Sequence, residues 1–152
     1  MGKNIPLTAK DVSQGTRDEY ENLIATCIEF GTHILETERI LCPFAVTVSK
    51  DGEVGMEGNC VKKHSHWPED TVDHLKNSLF KKRDGLRMTA VVSGTEQGKY
   101  DAFMIEAEHC EGLSMEITVP FVITKDRKVE LKMKKARSCR VLKCIWRDEE
   151  RS

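Results

Sequence analysis

Between Leu86 and Met133, apolar residues recur at every second position in four separate series. They are Leu86, Met88, Ala90 and Val92; Phe103, Ile105 and Ala107; Leu113, Met115, Ile117, Val119, Phe121 and Ile123; and Val129, Leu131 and Met133. A period of two sends successive side chains to opposite faces, so each series is a strand with one apolar face. Turn residues fall between them at Gln97-Gly98, Glu111-Gly112 and Asp126-Arg127, the short connections of an antiparallel meander. The same period appears earlier in Phe44, Val46 and Val48, before Asp51-Gly52 as a hairpin turn and Val54 and Met56 on the return. Gly55 and Gly58 predict an irregular second strand. Beyond Met133 the parity fails, because Lys135 and Arg137 take the inward register before Val141 and Ile145 resume it. Residues 138–147 read first as a further, bulged strand, and alternatively as a short helix carrying Leu142, Ile145 and Trp146.

Two stretches carry a helical period instead. Thr16-Arg17-Asp18-Glu19 fits a capping box, after which Tyr20, Leu23, Ile24, Cys27, Gly31, Ile34 and Leu35 fall on one face. Pro68 suits the first turn of a second helix, with Glu69 and Asp70 at its positive end and Lys81, Lys82 and Arg83 at its negative end. Its buried stripe is Val72, Leu75 and Leu79, and Gly85 closes it. The expectation is an α+β fold of order α-β-β-α-β-β-β-β, two helices packed on one face of one antiparallel sheet of five to six strands. Residues 1–15, polar and without period, read as a flexible arm, and residues 16–152 as a single domain. This element order resembles the roadblock and profilin-like arrangements, in which two helices flank a five-stranded sheet, a likeness that carries no function.

With 39% hydrophobic and 32% charged residues, the chain is too apolar for disorder and too polar for a membrane protein. No apolar run approaches a secretory signal or a membrane span, so a cytoplasmic protein without membrane contact is expected. Five of the six cysteines lie within apolar patterns, and all six read as free thiols in or near the core. Charge is unevenly spread. Residues 125–147 hold ten basic residues against Asp126 and Glu130, a balance of +8, so a chain of net charge −1 carries −9 elsewhere.

Three groups are candidates for chemistry. Cys60, His64 and His66 form the densest set of potential ligands, but their spacing matches no structural zinc pattern, and a solvated loop is the preferred reading. Glu106, Glu108, His109, Cys110 and Glu111 end a strand. Alternation sends Glu106 and Glu108 to solvent and His109 to the apolar side, as sheet-surface carboxylates and a half-buried histidine. A cleft between the first helix and the sheet, with room left by Gly31 and with His33 or His109 pointing into it, is a third possibility. Lys128, Lys132, Lys134, Arg137 and Arg140 form a basic patch, read as neutralised across strands by Glu106, Glu108 and Glu116 in preference to nucleic-acid binding.

No phosphate loop, dinucleotide fingerprint, nucleophile elbow or metalloprotease helix is present. The pattern therefore leans away from an enzyme, and no catalytic residue, cofactor or metal is assigned. The leading expectation is protein binding or self-association through a sheet edge or helix face, with small-ligand binding or catalysis in the cleft as the alternative.

The segments Cys42-Pro43-Phe44-Ala45, Asp51-Gly52-Glu53, Tyr100-Asp101-Ala102 with Ile105, Glu108-His109 with Gly112, and Val119-Pro120-Phe121 resemble a pattern recurring in small uncharacterised bacterial proteins. That resemblance implies the α+β fold and no assigned activity.

Overall fold

The computed structural model describes residues 14–58 and 71–146. The expected flexible arm, the Cys60, His64 and His66 group and the Pro68 helix start lie outside the described residues, apart from Gln14 and Gly15. Helix α1 spans Gln14–Glu38, β1 Phe44–Ser49, β2 Val54–Glu57 and α2 Thr71–Lys81. Strands β3 Leu86–Gln97, β4 Tyr100–His109, β5 Ser114–Ile123, β6 Val129–Leu131 and β7 Arg137–Val141 follow, with short 3-10 turns at Arg83–Gly85 and Met133–Lys135. All pairings are antiparallel, in the order β2-β1-β3-β4-β5-β6, with β7 also on β5. The α+β architecture is thus the expected one, with seven strands rather than five or six. Among the described residues, no helix is long and apolar enough to cross a membrane.

The two helices do not share a face. Tyr20, Leu23, Ile24, Cys27 and Leu35 of α1 pack on Val46, Ala90, Val92, Phe103, Ile105 and Ile117. Leu75 and Leu79 of α2 pack on Ala45 and Val91, whose side chains have the opposite parity. The centre of β3 is therefore apolar on both sides. Met88 and Ala90 face α1, and Val91 faces α2. That continuous run is the signature of a strand buried on both faces.

The outer edge of β5 is divided between two partners. Ser114 to Thr118 pair with β7, and Phe121 to Ile123 pair with β6. Pro120 stands between them, and its carbonyl accepts from Lys132 N–H at 2.8 Å. An N–H at this residue would point to the same outer side as that carbonyl, so proline removes a donor where the ladder changes partner. The β6 edge is pinned to α1, because Val129 N–H donates to Glu36 Oε2 at 2.8 Å.

After Leu131 the chain turns through Met133–Lys135 and returns as β7, so Lys128, Lys132 and Lys134 do not form a row on one strand. Residues 137–141 take the strand option, and the helical alternative for Leu142, Ile145 and Trp146 is not adopted. Ile145 is nonetheless buried beneath α2, whereas Leu142 is exposed.

Gly31 leaves no vacant space. A Cβ there would lie 2.7 Å from Cε1 of Phe103, a ring that is fully buried and packed 4.8 Å from the ring of Phe121. The glycine is what lets α1 sit down on the sheet. Replacing Gly31 by alanine should therefore cost about 1–2 kcal/mol net, overriding the helix-propensity gain of about 1 kcal/mol. Gly15→Ala, where a Cβ meets nothing within 4 Å, should be neutral or slightly stabilising. Urea unfolding of the two variants measures the contrast, and equal effects would mean that α1 does not depend on the Phe103 contact.

Candidate functional site

A cleft opens where α1 stops covering the sheet. Its one wall is Glu19, Asn22, Leu23 and Thr26 of α1, its floor is Val46, Val48 and Met88, and Gly52 and Val54 close the far side. Its volume is about 260 Å³. The hairpin closing it turns at Gly52, with φ +92°, and Ser49 Oγ accepts from Asp51 and Glu53 N–H at 3.2 and 3.0 Å. Val54 remains 59% exposed and Met56 49% exposed, because these side chains point to the α1 side of the sheet beyond the helix's reach.

At the α1 end of the cleft the Glu19 carboxylate is held by two donors. Arg87 Nε meets Oε2 at 2.7 Å and His109 Nε2 meets Oε1 at 2.8 Å. On the far side of the ring, His109 Nδ1 accepts from Glu111 N–H at 3.0 Å. Accepting at Nδ1 requires that nitrogen to be unprotonated, so the proton sits on Nε2 and points at Glu19. The imidazole is 1% exposed and stands 6.0 Å from the Tyr20 ring, whose hydroxyl donates to the Leu113 carbonyl. Burial works to raise the Glu19 pKa, but the hydrogen bonds from Arg87 and His109 outweigh it, and the net shift is below the usual 4.5. Burial pushes the Cys27 thiol up to about 12 and the Tyr20 phenol above its ordinary range, so neither is set up as a nucleophile.

The second polar centre lies on the opposite face. Glu108 is 3% exposed, not solvent-facing as alternation alone suggested, because residues 142–146 fold over it. Its Oε1 accepts from Cys144 and Ile145 N–H at 2.9 and 3.1 Å, and its Oε2 from Ile145 and Trp146 N–H at 3.1 and 2.8 Å. Three successive amides thus converge on one carboxylate, the geometry of an anion-binding nest filled from within. Neighbouring Glu106 pairs with Lys76 of α2 at 2.6 Å. Burial works to lower the Lys76 pKa, and Glu106 outweighs it, so the shift is upward.

The candidate residues are thus dispersed. His33 is exposed on the outer side of α1, and His109 is buried against the cleft's carboxylate. None of Glu106, Glu108 or Glu116 neutralises the basic segment as expected. Glu106 is taken by α2, Glu108 by backbone amides, and Glu116 stands opposite Cys139. Lys132 pairs with Glu130 at 3.6 Å, Lys128 is exposed, and Arg140 lies opposite Met115 on β7. The cysteines also differ from the uniform free-thiol expectation. Cys27, Cys110, Cys139 and Cys144 are free, Cys139 is exposed, and Cys42 is disulfide-bonded. Spacing along a chain does not reveal such pairing. Among the described residues, no three His, Cys, Asp or Glu side chains converge as a metal site. The sequence placed Glu19 in a capping box at the helix start, but α1 already begins at Gln14 and the Glu19 carboxylate is taken by Arg87 and His109; Arg87, 68 residues away, carried no signal of its own in the sequence.

No family model, curated protein or solved structure matches this chain.

Two outcomes follow from the polar contacts. Glu108→Gln removes the charge and turns an amide N–H₂ toward at least one backbone N–H, which should destabilise the fold by about 2–3 kcal/mol. Amide exchange at Cys144, Ile145 and Trp146 should rise before the sheet opens; unchanged exchange there would refute the staple. Glu19 has a depressed pKa in the folded state, so its stabilisation is complete above the unfolded value near 4.5 and is lost as pH falls through the lower, folded value. The stability gap between wild type and Glu19→Gln should be flat from pH about 5 to 7 and close in acid, as read by unfolding midpoints across pH; a gap that widened in acid would contradict the assignment.

Proposed function

We propose that this protein is a non-catalytic binding domain that takes a small apolar ligand, carrying a hydrogen-bond donor at one end, into the cleft between α1 and the β1–β2 edge. The cleft itself carries this reading: a concavity between α1 and the β1–β2 edge, with Val48 and Val54 accessible in it, leads to one oriented carboxylate. Apolar concavities with a few convergent polar groups are the usual form of ligand sites. A volume of about 260 Å³ suits a short aliphatic chain or a single ring. Val48, half-buried, and Val54, exposed, would give up water on binding, and the remaining lone pairs of Glu19 would receive the donor.

The state of His109 favours binding over acid–base chemistry. Both ring nitrogens are engaged, one with Glu19 and one with the Glu111 amide. The ring is buried, so it orients the carboxylate without offering a free nitrogen to a substrate. A competing reading is association with a protein or a second copy through β2, an edge strand bearing exposed Val54 and Met56.

Octylamine, octanol and octanoate at about 1 mM probe the head-group preference in thermal melts, since binding of millimolar affinity or better raises the melting temperature by about 1–4 °C. Octylamine and octanol should stabilise the protein, octanoate should not, and Val54→Trp at the cleft mouth should remove the effect. No stabilisation by any of the three, with a concentration-dependent dimer in light scattering that Val54→Lys abolishes, would replace this reading with the edge-strand one.

A further inference from the structure

At the opposite end of β3 from the cleft, the chain gathers four cations around one recess. Lys99 comes from the β3–β4 turn, Lys134 and Lys135 from the 3-10 turn after β6, and Arg137 from the start of β7. The rest of the lining is Gln97, Gly98, Tyr100 and Ala136, so among the described residues no carboxylate borders the recess. The nearest acidic residues in sequence, Glu96 and Asp101, have the other parity and line a separate depression beside Leu35 and Arg39. None of the four cations makes an ion pair among the described residues, whereas Lys132 just upstream does. Two of their ammonium groups rest on the Tyr100 ring instead, Lys99 at 5.6 Å and Lys135 at 5.9 Å from its centroid.

The frame that brings these groups together is fixed by hydrogen bonds. The Gln97 side-chain amide donates to the Lys135 carbonyl at 2.7 Å, which ties the 3-10 turn to the hairpin. Lys135 N–H donates to Lys132 O at 2.9 Å and Ala136 N–H to Met133 O at 3.1 Å, closing the turn. Gly98, with φ +61°, lets the β3–β4 connection reverse tightly enough to bring Lys99 beside it. Like charges held close repel one another, and a bound dianion relieves that repulsion.

We propose that this recess binds a compact phosphoryl group, such as the phosphate or diphosphate end of a small metabolite. The basic residues do not form the continuous stripe that a nucleic-acid backbone requires, since Lys132 is paired, and Lys128 and Arg140 lie outside the recess. A base-stacking role is also poorly served, because lysine ammonium groups already stand over Tyr100. The mixed set of lysine point charges and one arginine fork suits tetrahedral oxygens.

The probe is inorganic pyrophosphate, titrated into the ¹⁵N-labelled full chain at low ionic strength. Shifts should concentrate on Gln97 to Tyr100 and Lys134 to Arg137, and affinity should fall about tenfold or more between about 20 and 200 mM NaCl. Lys99→Glu combined with Lys135→Glu, both exposed positions, should weaken binding at least about tenfold, whereas Lys125→Glu, outside the recess, should change it less than about twofold. Shifts spread evenly over Lys125, Arg127 and Lys128, or an unaltered affinity in the double variant, would overturn the proposal. A ten-nucleotide single strand binding more tightly than pyrophosphate, and depending on Lys128 and Arg140, would overturn it in favour of nucleic-acid binding. Pyrophosphate binding is read at residues the apolar cleft does not contain, so either site can fail without the other.

Discussion

A six-strand width of sheet measures about 24 Å across, and an α-helix with its side chains about 10–12 Å. One helix on each face cannot cover it. The rest of the molecule follows from where those two helices are laid. Helix α1 crosses β3 and β4 and reaches β6, where Glu36 binds the Val129 amide, so the uncovered apolar surface is displaced to β1 and β2. Val48 and Val54 are the residues left accessible at that margin, over a floor completed by buried Val46 and Met88, and together they form the cleft. On the other face α2 sits over β1 and β3, and among the described residues β4 is met by Lys76 and by the chain after β7. The two open regions are therefore consequences of coverage, and their chemistry depends on what borders them.

The close seating of α1 explains why the polar groups at its N-terminal half are ordered. Gly31 over Phe103 sets the helix's distance from the sheet at one end; at the other, Tyr20 and Glu19 reach the β4–β5 connection and β3. Gly112 belongs to the same contact, since a Cβ there would stand 3.3 Å from the Tyr20 hydroxyl and 3.2 Å from His109 Cβ. A histidine buried to 1% must be satisfied on both nitrogens, and the tight turn at Glu111-Gly112 supplies one partner while α1 supplies the other. The carboxylate facing the cleft is thus positioned by the same packing that forms the core.

Much of this architecture was legible in the alternation. The strand series from Leu86, Phe103, Leu113 and Val129 all fall within or beside observed strands, and the turns at Gly98, Gly112 and Arg127 lie where they were expected. The stripes of both helices are the buried ones, except that Ile34 and Val72 are half-buried. Alternation also predicts which residues share a face, but not what lies on that face. Ala45 and Val91, of the opposite parity to Val46 and Val92, were the available sign that a second layer covers the sheet, yet two small or β-branched residues are too few to separate a buried face from an exposed one. Glu108 is the sharper case. A carboxylate on the polar parity of a strand reads as solvated, and only the return of Cys144 to Trp146, determined by a chain reversal about 30 residues later, buries it.

The charged groups divide by a similar rule. Glu116 on β5 had no reason in sequence to ignore the basic segment, since β6 and β7, both paired with β5, come from it. Tertiary structure spends Glu106 on α2 and leaves Glu116 opposite Cys139, while the 3-10 turn at Met133–Lys135 rotates Lys134 and Lys135 off the sheet. The break in parity at Lys135 and Arg137 was thus the mark of a turn that moves cations from a ladder, where neighbouring strands could neutralise them, to a recess bordered by none of the described acidic residues. Strand β3 runs from Met88 at the cleft to Gln97 at this recess, about 30 Å at 3.4 Å per residue. At that distance solvent ions screen the Glu19 carboxylate from the four cations, so the two ends keep separate electrostatic characters: one apolar with a single oriented carboxylate, the other wet and positive.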